Sequence, residues 1–159
     1  MKKLFYFIFI ILSTYCFADT PNPDAARTNA KLGLAYLQKG LYSAGKKCLL
    51  TALQEDPSIA SPWYSMGYYL EKTNHKRLAA RYYQKAITVN PESGSAKNNE
   101  GIFLCHQHAY QQAIAEFVLA ANEPGYLYAE KAYKNAGECA LRIPDKKLAK
   151  QYFRKARYH

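Results

Sequence analysis

The sequence predicts an all-α fold: eight antiparallel helices in four repeated pairs, stacked as a right-handed α-solenoid. Three observations carry this reading. Gly33, Gly67 and Gly101 recur every 34 residues, and Gly137 follows 36 later. The same columns repeat behind each glycine. A small residue lies 12 positions on (Gly45, Ala79, Ala113, Ala149), a large apolar one 16 on (Leu49, Tyr83, Phe117, Phe153) and an alanine 19 on (Ala52, Ala86, Ala120, Ala156). Pro57 and Pro91, also 34 apart, stop the second helix of a pair.

In chain order the helices are expected over 25–38, 42–55, 60–73, 76–89, 94–107, 110–122, 127–142 and 145–158. They fall into repeats of about 26–59, 60–93, 94–129 and 130–159. Residues 19–25 read as a tether, whose two prolines block a helix before Asp24. "EPGY" (123–126) reads as a longer turn ahead of a two-residue insertion. A mid-helix glycine costs about 1 kcal/mol relative to alanine. Its recurrence implies a close helix crossing filled by the large residue of the facing helix, whose burial is worth about 1.5–3 kcal/mol.

The 159 residues are 49% apolar and 14% aromatic, which supports a packed domain over disorder. The formal charge is +10, and loss of Lys2 and Lys3 with a leader leaves 20 basic against 12 acidic side chains. That balance suits an anionic partner such as lipid headgroups or an acidic protein face. The cations are scattered, with no Lys/Arg block or recognition motif, so nucleic acid is not expected as a partner.

The first residues carry the compartment signal. "MKK" precedes a nine-residue apolar run, Leu4 to Leu12, too short to span a bilayer but fitting a signal-peptide core. Cleavage after Ala18, with Cys16 at −3, makes 1–18 the signal peptide and releases a soluble chain. Alternatively, "LSTYC" resembles a lipoprotein box, with 1–15 as signal and Cys16 as lipid acceptor, although Tyr15 is bulky for that place. Either ending predicts an exported, periplasmic chain, free or tethered to the outer membrane.

The sequence has no HExxH, no GxSxG and no phosphate-cradling loop, so the expectation is a non-enzyme without cofactor or metal. In "CHQH", His106 and His108 are two apart and point to different helix faces. Glu100 takes a place that usually faces the core, and is expected to pair with a Lys or Arg or to lie at an edge. Cys105 lies four after Gly101 and Cys139 two after Gly137, at similar height on first helices of neighbouring repeats. In an exported chain they are predicted to form a disulfide, the alternative being two buried thiols. Cys48 is left as a partly buried thiol.

The columns resemble the tetratricopeptide repeat over residues 26–159. The second copy matches best, through Trp63, Met66, Gly67, Ala79, Tyr83, Ala86 and Pro91. The resemblance implies a concave groove lined by first-helix positions that bind a partner. On this chain it marks Leu34, Leu37, Tyr64 and Tyr68 as an apolar pocket for a strand or helix. Leu37 is equally well read as core. Ile102, Lys131, Lys134 and Arg142 mark the more basic C-terminal half. "AKLGLAYLQKG", "NNEGIFLC" and "NAGECALRIPDKKLAKQYFRKA" further resemble the type IV pilus biogenesis/stability lipoproteins, whose cysteines fall in the same places. That likeness implies a pilotin role. The partner would be the secretin subunits of the pilus machinery, and the protein would promote their localisation and multimerisation. The family is typically longer than this chain. The rival expectation is a general periplasmic repeat adaptor in envelope assembly.

Overall fold

The computed structural model describes residues 20–159; the expected signal peptide and Cys16 lie outside them. The helices are α1 (Pro23–Gln38), α2 (Tyr42–Glu55), α3 (Ala60–Lys72), α4 (Lys76–Val89), α5 (Gly94–His106), α6 (Tyr110–Ala121), α7 (Ala129–Ala140) and α8 (Lys146–Ala156). Two helix starts differ from expectation by two residues. α1 begins at Pro23, inside the supposed tether. Asn22 caps it by accepting from the Ala25 N–H at 3.0 Å, and a proline in the first helical position gives up only an N–H that has no partner there. α7 begins two residues late. Gly125 turns the chain with φ +75°, and the Tyr126 ring settles over Gly94, which holds the turn open to Tyr128.

Each odd-numbered helix packs against the even-numbered one that follows it. The first helices of successive repeats also touch, α1 to α3, α3 to α5 and α5 to α7, whereas among the described residues no two second helices do. The first helices therefore form a tight inner wall and the second helices a splayed outer one, which gives an α-solenoid with a concave face.

The glycine columns sit at the crossings. A Cβ on Gly67 would stand 3.1 Å from the Tyr83 ring, and one on Gly101 2.8 Å from the Phe117 ring. Leu49 covers Gly33 and Phe153 covers Gly137 in the same way. Tyr83, Phe117 and Leu49 are fully buried by this.

Polar links join the repeats. Glu71 on α3 accepts from the Tyr83 hydroxyl at 3.1 Å and lies 2.7 Å from His106 Nδ1 on α5. Burial pulls the Glu71 carboxyl up, but the His106 and Tyr83 hydrogen bonds and the Lys72 charge bring it below its ordinary range. Asn135 on α7 donates to Asn98 Oδ1 on α5 at 2.9 Å. Cys105 and Cys139 form a disulfide between the same two helices, with Cα atoms 6.0 Å apart.

Glu100 does not find the cation expected for it. Lys97 pairs with Glu123 instead, and Glu100 Oε2 is buried without a partner. Burial first, and the Glu116 carboxylate second, push the Glu100 carboxyl up to about 7.

Three measurements check this packing. Gly67→Leu forces a side chain into the Tyr83 ring and should lower stability by about 1–3 kcal/mol in urea denaturation; an unchanged midpoint would refute the crossing. Cys105→Ser with Cys139→Ser reopens a loop of 34 residues and should cost about 2–4 kcal/mol, while equal midpoints with and without reductant in the parent chain would show the bond contributes nothing. Glu100 keeps a proton in the native state to about pH 7 that the unfolded chain has lost above its ordinary 4.5. Stability should therefore fall as pH rises between those values and level off above them. Glu100→Gln should shrink that fall, and an identical pH 5 to pH 8 difference in the variant would contradict the assignment.

Candidate functional site: the concave face

Two cavities open on the inner wall. The first, about 290 Å³, lies between α1, α3 and α5 at the N-terminal ends of the latter two. Ala30, Leu34, Ile59 and Tyr64 supply apolar surface, and Ser61, Ser65, Ser93 and Ser95 supply hydroxyls. Arg27 and Lys31, one turn apart and both exposed, stand at its edge. The second, about 240 Å³, lies between α5 and α7, with Ile102, His106, Asn135, Glu138 and Arg142 around the disulfide.

Leu34 and Tyr64 line the first cavity, half-buried and leaning on the core of repeats 1 and 2. Burial raises the Tyr64 phenol above its ordinary value. Tyr68 stands farther along α3, half-buried, with Lys72 Nζ 5.2 Å from its ring centre. Leu37 is not a groove residue. It is 4% exposed, and its Cδ2 fills the space over Gly45, 2.6 Å from where a Cβ there would be. The glycine in α2 draws this leucine into the core.

Ile102 and Arg142 meet at the second cavity. Glu138 shares that cavity with Arg142, so the C-terminal end is mixed in charge rather than basic. Lys131 and Lys134 are exposed on α7 and line neither cavity. Three of the "CHQH" side chains are occupied: Cys105 by the disulfide, His106 by Glu71, and His108 by the Tyr110 hydroxyl at 2.7 Å.

Sequence reasoning missed Lys31, Ser65 and Ser93. The available signal was Ser61 and Ser95, spaced by one repeat at the starts of α3 and α5. It also missed Tyr126. This residue comes from the insertion before α7 and lies beside Ser95 and Tyr64; burial first pushes its phenol up to about 12. The turn after α6 thereby comes up beside two residues that line the first cavity. Donors, cations and apolar surface on one wall are suited to holding a peptide.

Two family models described as tetratricopeptide repeat match residues 26–59 and 64–126. An uncharacterized protein of Haemophilus influenzae is 29% identical over 154 residues, covering 97% of this chain and 86% of that protein. The type IV pilus assembly protein PilF of Pseudomonas aeruginosa is 29% identical over 138 residues, covering 87% of this chain but 55% of PilF. A solved PilF structure superposes with a TM-score of 0.76 at 29% identity, over 84% of this chain and 60% of that one. The structure of PilW, a type IV pilus biogenesis factor, gives 0.75 at 22% identity, over 85% and 62%, and so speaks to the fold alone. The chain thus spans little more than half the length of PilF. The matched repeats, the helix pairing and the glycine crossings agree, and the chain belongs to the tetratricopeptide-repeat family.

Proposed function

We propose that the chain is an exported, non-enzymatic scaffold of type IV pilus biogenesis. It grips secretin subunits along its concave face and promotes their localisation and multimerisation. The likeness to PilF, which covers 87% of this chain, carries this reading. The leader directs the chain to the periplasm, and a lipid on Cys16 would tether it to the outer membrane. A rigid groove that covers an exposed strand edge of an unassembled subunit suppresses aggregation and shifts that subunit toward assembly by mass action. A general periplasmic repeat adaptor is the second reading, resting on the tetratricopeptide repeats alone.

Deletion of the gene should remove secretin multimers from semi-denaturing gels of the outer membrane. Complementation with Leu34→Gln plus Tyr68→Gln, a residue that favours helix, should fail. Loss of two such anchors weakens binding about 30-fold or more. Normal multimers in the deletion strain would favour the adaptor, and full rescue by the double variant would refute the groove.

A further inference from the structure

The positive charge is not spread evenly over the solenoid. The second helices α2, α4 and α8 carry two, four and five Lys or Arg residues, and α6 carries none. The same four helices hold two carboxylates, Glu55 and Glu116, both half-buried. The first helices carry six Lys or Arg residues against five carboxylates. The inner wall is therefore close to neutral, and the outer wall is strongly cationic.

Among the described residues, the chain itself does not answer these charges. Every ion pair draws its cation from a first helix: Arg27 with Asp24, Lys97 with Glu123, His106 with Glu71. The second-helix cations are exposed, Lys155 apart, and none is paired with a carboxylate. On α4 the arrangement works against the helix. Arg77, Arg81 and Lys85 follow one another a turn apart, and like charges at that spacing are unfavourable. α4 has no acidic residue to relieve them. Lys85 lies 5.6 Å from the Trp63 ring centre, while Arg77 and Arg81 are exposed.

Apolar side chains stand among the charges. Leu78, 40% exposed, shares a shallow recess with Arg77, Ala80 and Arg81. Leu50, 45% exposed, lies one turn from Lys46 and Lys47 on α2. Cations flanking an exposed leucine suit a surface that rests on a bilayer. Guanidinium and ammonium groups meet the lipid phosphates, and the leucine enters the boundary between headgroups and acyl chains. An acidic protein face has no acyl phase to receive the leucines.

We infer that the outer wall, centred on Arg77, Leu78 and Arg81 of α4, docks on an anionic lipid surface. In that pose the first helices face away from the bilayer and the groove stays open to a partner. The contact uses no residue of either inner cavity, so it stands or falls independently of the secretin reading.

The test uses residues 19–159, the exported chain left by cleavage after Ala18, which contains every described helix and carries no lipid. Co-sedimentation is measured with vesicles of phosphatidylcholine containing about 30% phosphatidylglycerol, and with phosphatidylcholine alone, at about 0.05 and about 0.3 M NaCl. At low salt the anionic vesicles should bind about 30-fold tighter or more, and high salt should weaken that binding about 10-fold. Arg77→Gln plus Arg81→Gln should weaken it about 30-fold, since each cation at an anionic surface contributes about fivefold. The urea midpoint of this variant should match the parent, because both side chains are exposed. Lys131→Gln plus Lys134→Gln removes the same charge from α7 on the inner wall and should change binding less than about threefold. No binding at low salt, equal binding to both vesicles, or equal losses in the two double variants would overturn the inference. Poly-L-glutamate at equal charge separates the other anionic partner. Retention on the vesicles supports lipid docking, whereas complete release assigns the wall to an acidic protein and overturns it.

Discussion

At each helix crossing a ring or a leucine lies where a glycine has no side chain. Everything else in the solenoid follows from that contact. Glycine in a helix is unfavourable by about 1 kcal/mol, yet it lets two backbones approach until one large side chain is sealed between them. Tyr83 and Phe117 are the clearest cases, both buried against the glycine and alanine of their own repeat. The crossing fixes the distance within a pair, and identical pairs then stack with the first helices inside. Curvature is a consequence of unequal contact: inner helices touch their neighbours and outer ones do not.

The period made the helix pairs and their crossing partners legible, because both depend on spacing within one repeat. What depends on a neighbour was not legible. Leu34 and Leu37 share one side of α1, and only the missing side chain at Gly45 decides that Leu37 turns inward. Pro23 reads as a helix blocker until Asn22 is seen to cap the turn that starts with it. Tyr126 reads as part of a turn, and only the fold brings its ring over Gly94 and beside Ser95 and Tyr64. The serines carry no periodic hydrophobic signal. Ser93, moreover, has a local role, accepting from the Ala96 N–H at the start of α5, and nothing local distinguishes it from Ser65, which has none.

Stacked repeats interact only with their neighbours, so cooperativity depends on what crosses each seam. Repeats 2 and 3 are joined by Glu71 and His106, and by the Tyr83 and Phe103 rings at 5.0 Å. Repeats 3 and 4 carry the Asn98–Asn135 hydrogen bond and the disulfide. The covalent link lies on the inner wall, beside the second cavity, where it holds α5 to α7 at the point that sets local curvature.

Both cavities lie at seams, between first helices of successive repeats, and neither lies inside a repeat. The interior of a repeat is closed by its crossing, and the open volume of the inner wall lies where one unit meets the next. A site of this kind keeps its shape only while the stack keeps its pitch. Here the pitch is held by a disulfide, by side-chain hydrogen bonds and by rings packed across the seams. A partner entering the groove therefore meets side chains that have already lost their freedom, and less of its binding energy is spent on ordering them. The same rigidity makes the wall selective. A segment whose shape does not match the fixed cavities finds few side chains free to rearrange around it.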